Sequence, residues 1–259
     1  MKASLDDRIA RAAELAKTHP AASDLLTFYG QLALFQKPVY EELRSKNETG
    51  IRALIRHFPP LLELVRRAGP KLLARFGAEH LQSSDTQQEL LLACWEGHPG
   101  YDVPGNGLAH SEAGRFYARV LLQPYAEHLA SRGQIDLETT AATCPFCSAH
   151  PVAGVLRGEG DGAKRWLLCS LCSTEWQFRR VVCPNCGEQD NDWLPVYTAA
   201  EIDHVRVEAC DRCKIYIKSV DLTRDGHAVP VVDELATVAL NVWAETHGYA
   251  KLESNLLGL

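Results

Sequence analysis

The sequence contains no long apolar run. No stretch approaches the roughly 20 consecutive apolar residues that a membrane-spanning helix requires. Residues 1–8 include two acidic side chains, and the apolar core segment of a secretory signal peptide does not appear there. These absences predict a soluble protein that stays in the cytoplasm.

An excess of positive charge is also lacking. The chain has 27 Lys and Arg against 33 Asp and Glu, and residues 144–226 hold ten basic and twelve acidic side chains. Three tryptophans interleave with Arg179 and Arg180 in that segment, a pattern that also occurs in nucleic-acid-binding ribbons. Because phosphate binding needs a basic face, the charge favours tryptophans that fill a small core over a nucleic-acid partner.

Motifs of common enzyme classes are missing as well. The sequence has no serine-hydrolase elbow, phosphate-binding loop or glycine-rich dinucleotide fingerprint. The best candidate for a catalytic cluster is formed by three histidines, His98, His110 and His128, with Glu112 and Arg115 close by in sequence. Scattered surface histidines are the more common explanation of such a pattern. The sequence therefore predicts that the protein is not an enzyme.

Residues 1–142 show helical periodicity and are predicted to form an α-helical domain. Ser4 and Asp7 make a helix-start pattern before an apolar stripe with helical spacing. A second helix is predicted to begin at residue 23 and to stop before Pro38. Pro124 is predicted to kink or split a later helix.

Short β-prone runs begin after residue 143 and alternate with turns rich in Gly, Asp and Asn. The predicted strands are residues 165–168, 175–178, 204–208 and 215–217. Helical periodicity returns between Leu235 and Trp243 and is predicted to end at Gly248.

Eight of the nine cysteines form four C-x-x-C pairs. The pairs are Cys144/Cys147, Cys169/Cys172, Cys183/Cys186 and Cys210/Cys213. Each pair predicts a knuckle, a tight turn that points two sulfurs at one place, and two facing knuckles supply the four thiolates of a tetrahedral metal site. In a reducing cytoplasm this pattern favours metal binding over disulfides. Cys94, the ninth, is predicted to be buried and inert.

The spacing of the knuckles favours sequential pairing. The first and second are separated by 21 residues, the third and fourth by 23, but the second and third by only 10. Sequential pairing gives two ribbon-like modules that repeat after about 40 residues, which indicates an internal duplication. A cross-braced arrangement, in which the first knuckle pairs with the third, stays open.

The predicted fold class is therefore α+β, with an N-terminal multihelical domain followed by two tandem rubredoxin-like or zinc-ribbon modules, each with four cysteines, and a C-terminal helix. The predicted domains are residues 1–142, 143–181, 182–228 and 229–259.

The cysteine sites are most simply interpreted as structural. A closed site of four cysteines commonly stabilises a module that is too small to have a core, by roughly 10–16 kcal/mol for structural zinc. Redox or partner-facing roles remain alternatives, whereas thioredoxin-like catalysis is disfavoured because no βαβ pattern surrounds the pairs. Four thiolates suit zinc and iron equally. Glycine follows only Cys186, so complete rubredoxin-like knuckles are not expected at Ser148, Ser173 and Lys214.

Several motifs around the knuckles resemble the family of the formate dehydrogenase accessory protein FdhE. They are Cys144-Pro145-Phe146-Cys147 with Pro151-Val152, the segment Cys169-Ser170-Leu171-Cys172-Ser173-Thr174-Glu175-Trp176 with Arg179, Cys183-Pro184-Asn185-Cys186, residues 207–213 and residues 233–237. The helical half is similar more loosely, at His19-Pro20 and Gln36. Ser148, where the family has glycine, is a departure from the pattern.

The resemblance implies a helical domain joined to two rubredoxin-like modules in a cytoplasmic protein. It implies an accessory role in the maturation of respiratory formate dehydrogenases, through binding of the molybdenum- or tungsten-containing catalytic subunit. It also implies two bound metal ions, with iron favoured and zinc possible.

The most specific motif provides candidates for contact with that subunit: Thr174, Glu175, Trp176 and Arg179. Packing and a local salt bridge are the alternative explanation of these four residues. Three other functions compete with the accessory role: a rubredoxin-like electron carrier, a zinc-ribbon nucleic-acid binder and a thiol–disulfide oxidoreductase.

Overall fold

The structure is a computed structural model that describes residues 3–97, 107–137, 139–160 and 162–259. The described part of the N-terminal half is helical. Its helices are α1 Leu5–Thr18, α2 Ser23–Ser45, α3 Phe58–Ala68, α4 Lys71–His80, α5 Ser84–Glu96, α6 Gly107–His110 and α7 Glu112–Ala130. Helix α2 packs between α1 and α7.

Two prolines lie inside helices. Helix α2 continues through Pro38 to Ser45, so the predicted stop before Pro38 is wrong, and α7 is not split at Pro124. A proline removes one backbone hydrogen bond. The apolar residues buried on both sides of each proline offset that loss, since tertiary packing supplies most of a helix's stability.

In the second half, the described residues 139–160 and 162–259 form one seven-stranded sheet. Its strands are β1 Pro151–Glu159, β2 Gly162–Cys169, β3 Glu175–Phe178, β4 Val196–Ala199, β5 Ile202–Ala209, β6 Ile215–Asp221 and β7 Ala250–Lys251. The order is β3-β2-β1-β6-β5-β4, and β7 adds to β6. The four predicted strands correspond to β2, β3, β5 and β6, whereas β1, β4 and β7 are additional.

The two modules join where β1 and β6 pair in parallel. Within each module three strands are antiparallel and follow the same order, so the repeats lie side by side in one orientation. Gly154 on β1 lies opposite Ser219 on β6, and a Cβ at Gly154 would overlap with the serine hydroxyl. A larger residue at position 154 would therefore force the Ser219 side chain to move. The sheet crosses the predicted boundary at residues 181 and 182, and the division into domains stays a prediction.

The C-terminal segment returns to the sheet as two helices, α8 Pro230–Ala236 and α9 Val238–Thr246, separated at Thr237. Gly248, with φ of 84°, follows the second one. The predicted fold class is confirmed: a multihelical half, two tandem four-cysteine modules and a C-terminal helical segment.

Two neighbouring carboxylates of α8 hold this segment in place. Asp233 accepts two hydrogen bonds from Arg11 of α1, at 3.1 and 2.7 Å, and lies 3.0 Å from Nε2 of His204 on β5. Glu234 binds Lys218 of β6 at 2.9 Å and also pairs with Lys251 of β7. Four elements distant in sequence therefore meet at α8.

The two ion pairs of Glu234, with Lys218 and Lys251, are removed from water. Burial lowers the pKa of Lys218 to about 8 against the attraction of Glu234. Burial alone would raise the pKa of Glu234, but the two lysines together lower it to about 2. Removal of one partner would leave an uncompensated buried charge, so the motif at residues 233–237 acts as an ion-pair hub.

Candidate metal centres

The first cage comprises Cys144, Cys147, Cys169 and Cys172. Its first knuckle precedes β1 and its second connects β2 to β3. The Sγ atoms of Cys144 and Cys172 are 3.5 Å apart, and Cys147 Sγ lies 3.4 Å from Cys169 Sγ and 3.6 Å from Cys172 Sγ. Side chains from two knuckles therefore meet at one point.

The second cage comprises Cys183, Cys186, Cys210 and Cys213. Its knuckles lie before β4 and between β5 and β6, the equivalent positions of the second module. The Sγ distances are 3.7 Å between Cys183 and Cys213 and 3.6 Å between Cys186 and Cys210. In both modules the sulfurs group as sequential pairing predicts.

These distances fit a metal ion and not a disulfide. Four sulfurs about 2.3 Å from a common centre lie about 3.8 Å from one another in a tetrahedron. Disulfide sulfurs are only about 2.05 Å apart. All four Sγ atoms of each cage lie within 4.8 Å of one another. Each donor set suits zinc or iron, and ligation itself stays a prediction.

All four knuckles have the left-handed residue of a complete turn. The residue after the second cysteine has a φ of 61° at Ser148, 53° at Ser173, 77° at Gly187 and 59° at Lys214. The left-handed turn therefore also forms at Ser148, Ser173 and Lys214, where the absence of glycine led us to expect incomplete knuckles. A left-handed L-residue costs roughly 1–2 kcal/mol. Knuckle hydrogen bonds offset this cost, as from Ser148 N to Cys144 O at 2.9 Å and from Lys214 N to Cys210 O at 2.8 Å.

Hydrogen-bond donors surround the sulfurs. The amides of Leu171 and Cys172 donate to Cys169 Sγ at 3.3 and 3.4 Å. The Thr174 hydroxyl lies 3.1 Å from Cys172 Sγ and becomes the donor once that sulfur is a thiolate. Burial raises the pKa of the Cys169 thiol, so without a cation it stays protonated. A bound metal ion reverses this preference, and metal binding would release protons.

The two cages differ in exposure. Every cysteine of the first cage is buried, and all four belong to the main hydrophobic core. In the second cage Cys183 and Cys210 are buried, Cys213 is half-buried and Cys186 is exposed. The sequence does not predict this difference, because the spacings within the two modules are nearly the same.

Helix α7 is hydrogen-bonded to the second knuckle of the first cage. Gln123 donates to the carbonyl of Ser170 at 3.0 Å. The Ser173 hydroxyl donates to Glu127 at 2.9 Å, and Arg8 of α1 binds the same carboxylate at 2.8 Å. The helical half and the first cage are therefore linked by buried polar contacts.

A second polar path reaches the same knuckle from α2. The amide of Gln36 donates to Gln123 Oε1 at 3.1 Å. Gln36 is buried, and it is one of the positions at which the helical half resembles the family. Its position next to Gln123 is not visible in the sequence, since 87 positions separate the two side chains.

The structure separates the four predicted partner-binding residues into two groups. Trp176 is fully buried, and its indole N–H donates to the carbonyl of Ala141 at 2.9 Å. Thr174 is buried beside the first cage. Both side chains are packed against neighbouring residues, although Thr174 also lines the cleft described below, and the predicted contact of these two residues with a partner stays a prediction. Glu175 forms a bidentate ion pair with Arg157, and Arg179 is exposed.

A cleft of about 840 Å³ lies between the helical half and the first module. Tyr40 and Arg44 of α2 line one wall, and Trp166, Thr174 and Glu175 line the other. Sequence reasoning missed this cleft, because its walls come from segments more than 100 residues apart.

The polar residues outside the cages have varied surroundings. His98 lies outside the described residues, and His110 is exposed at the end of α6. His128 is buried in α7, and burial lowers the pKa of His128, so its interpretation as a surface histidine is wrong. His204, which the sequence did not single out, belongs to the ion-pair hub. Cys94 is half-buried, and burial raises the pKa of its thiol to about 11.

Comparisons with known proteins agree on one family. The family models described as "FdhE, central domain" and "FdhE, C-terminal domain" match residues 143–180 and 181–257. An FdhE homolog of Aquifex aeolicus is 32% identical over 215 residues, which cover 82% of this chain and 72% of the relative. An FdhE homolog of Pseudomonas putida is 34% identical over 191 residues, which cover 68% of this chain and 56% of the relative.

A solved structure supports the fold. The crystal structure of the FdhE protein from Pseudomonas aeruginosa matches with a TM-score of 0.71, covering 99% of this chain and 97% of that one at 23% identity. Among the residues that the structure describes, no helix has the length and apolar character needed to cross a membrane. The sequence match to the Aquifex relative, together with the two family models, shows that this chain belongs to the FdhE family.

Proposed function

We propose that this protein is an accessory factor in the maturation of a respiratory formate dehydrogenase and that it binds the catalytic subunit in the cytoplasm. Family membership supports an accessory role, and the resemblance supplies the enzyme that is served. The role is chaperone-like and requires binding rather than catalysis.

The observation that carries this proposal is the position of residues 169–176, the segment that most specifically resembles the family. It holds two ligands of the first cage and continues directly into the cleft wall at Thr174 and Glu175. The Thr174 side chain contacts the sulfur of Cys172 on one side and lines the cleft on the other. A metal ion in the first cage would therefore hold the cleft wall in shape.

The proposed contact surface comprises Glu175, Arg157 and Arg179. Glu175 and Arg157 form an ion pair at 2.8 Å whose side chains are 14% and 29% exposed, so both remain accessible to a partner. Arg179 follows β3 and is exposed. Charged groups at the rim of an interface mainly set specificity and the association rate.

We propose one metal ion for each cage, held by the eight cysteines named above. Iron is favoured by the family resemblance, and the donor atoms suit zinc equally. When bound, the ions supply structural stability or a redox-sensitive centre.

The test is an affinity pull-down of the tagged protein from its own host, grown and lysed without oxygen. Recovery of a formate dehydrogenase catalytic subunit, lost in a Cys169→Ser/Cys172→Ser variant, is expected. Cys94→Ser, outside both cages, is the matched control and should recover the subunit normally. Failure to recover the subunit with an intact bait and an expressed enzyme would contradict the proposal.

The contact surface has a separate test with metal content as the second readout. Arg179→Ala and Glu175→Gln are expected to weaken recovery of the subunit while two ions per chain remain. Arg180→Ala changes the neighbouring exposed arginine and should have no effect. Loss of metal from the Glu175 or Arg179 variants would instead assign these side chains a structural role.

A rubredoxin-like electron carrier is the second candidate, favoured by the exposure of Cys186. Electron transfer requires an iron centre close to the surface that cycles between two oxidation states. Purified protein would then be red and would bleach reversibly with dithionite. Colourless protein that contains zinc when isolated from its host would eliminate this candidate.

A further inference from the structure

The first cage is enclosed on every side that the structure describes. Its cysteines are at most 9% exposed. Its second knuckle is bonded to α7 through Gln123 and Glu127, both of which are buried. An ion leaving this cage would require the core between α7 and the sheet to open. Such an opening approaches global unfolding in its free energy.

The second cage is open on two sides. Cys186 faces solvent and Cys213 is half-buried, so an outer ligand can be reached directly. On the inner side, a pocket of about 260 Å³ is lined by Cys183 and Cys210. Val181 and Val196, 42% and 52% exposed, also line this pocket.

The contacts that hold the second cage are made within the second module and by the C-terminal segment. The knuckle of Cys210 and Cys213 is hydrogen-bonded to the C-terminal segment at two points. Tyr249 OH donates to Asp211 at 2.9 Å, and the amide of Ala250 donates to Lys214 O at 2.8 Å. The two knuckles are bridged by Arg212 and Glu188 at 3.2 Å, with the arginine 55% exposed. Opening this cage breaks few buried contacts, so its local unfolding costs less free energy.

We propose that the two cages have different functions: the first is a permanent latch between the helical half and the sheet, and the second is an exchangeable site for a thiophilic divalent cation such as Zn²⁺ or Fe²⁺. This inference rests on the proposed metal binding. Exchange breaks metal–sulfur bonds and passes the ion to an incoming ligand, while the four thiolates take up protons or another ion. No oxidant or reductant is needed.

The division makes the second cage the part of the molecule that responds to metal supply. Loss of its ion would loosen the knuckles around β4 and the ends of β5 and β6. The contacts of α7 with the first cage, and the cleft beside them, would persist. The protein would then exist in two folded forms that differ in the second module only.

The experiment follows zinc release from protein loaded with two Zn²⁺, using the colour change of 4-(2-pyridylazo)resorcinol in excess. Native mass spectrometry counts the remaining ions. Two phases of one ion each are expected, separated at least about tenfold in rate, since 1.4 kcal/mol of opening free energy already gives tenfold. A single phase that releases both ions would overturn the division while leaving metal binding intact. A protein that retains no zinc would overturn metal binding itself.

Variants assign the phases. Cys186→Ser should either prevent zinc binding in the second cage, which abolishes the fast phase, or make release from that cage faster still. The ion of the first cage should stay bound and leave in the slow phase. Loss of the slow phase in that variant would overturn the assignment. Glu127→Gln, which changes no cysteine, should accelerate the slow phase only. Glu188→Gln changes a carboxylate beside the second cage and should leave the slow phase unchanged. Circular dichroism establishes that each variant is folded.

Discussion

Replacement of Glu127 by alanine should destabilise the protein more than the loss of one hydrogen bond would. The Glu127 carboxylate lies 2.8 Å from the Arg8 guanidinium, and both side chains are buried. Removal of one partner leaves an unpaired buried charge, which costs roughly 3–5 kcal/mol. Ser173 also loses its acceptor, so the second knuckle of the first cage should loosen.

Thermal unfolding measured by circular dichroism gives the magnitude. A loss of about 3 kcal/mol corresponds to a fall in melting temperature of roughly 6–12 °C for a chain near this size. Glu63→Ala is the matched control, because Glu63 pairs with Arg66 on an exposed helix face and should shift the midpoint little. The double variant Arg8→Met/Glu127→Leu removes both charges and should recover most of the stability.

Two results would refute this reasoning. The first is a midpoint for Glu127→Ala equal to that of Glu63→Ala, which would mean that Arg8 finds water or another partner. The second is a double variant that is no more stable than Glu127→Ala, which would mean that packing and not charge determines the loss.

Three further changes have defined outcomes. Gly154→Ala forces a methyl group into the seam between β1 and β6 and should lower the free energy of unfolding by about 1–3 kcal/mol. Gly158→Ala is the control, because the nearest atom to its added Cβ would be 3.6 Å away, and it should be tolerated. Denaturant unfolding measures both variants. The hydrogen bond to Asp233, opposed by burial, raises the pKa of His204 above its ordinary 6.5. Protonated His204 therefore contributes fully to the free energy of unfolding below pH 6.5, and this contribution is lost as the pH rises through the raised pKa. In unfolding curves recorded across that pH range, the His204→Gln variant should not show this decrease in stability. Ser148→Gly should raise the melting temperature, because glycine has no penalty in the left-handed conformation and the serine costs roughly 1–2 kcal/mol there; an unchanged or lower value would contradict this.

The cages were predictable because their information is local. A C-x-x-C spacing sets the separation of two sulfurs, and gaps of 21, 10 and 23 residues favour sequential pairing. Strand β1 was not predictable in the same way, because its glycines at 154 and 158 weaken the β pattern. One of them, Gly154, packs closely against Ser219 of β6, a contact between residues 65 positions apart.

Other differences share one physical cause, the dominance of packing over local preference. Pro38 and Pro124 lie within helices because buried apolar residues surround them. Ser148 and Lys214 take left-handed conformations because the knuckle hydrogen bonds are formed. The predicted helical periodicity begins at Leu235, whereas α8 already includes Asp233 and Glu234, whose buried ion pairs come from α1, β5, β6 and β7. The cleft likewise combines α2 with β3.

X-ray absorption at the metal edge, on protein purified without oxygen and with its metal content determined, tests most directly whether both cages hold ions. The predicted result is two ions per chain, each with four sulfur neighbours at about 2.3 Å. Protein that contains fewer than one ion per chain, or ions surrounded mainly by oxygen and nitrogen, would contradict the assignment of the eight cysteines as metal ligands.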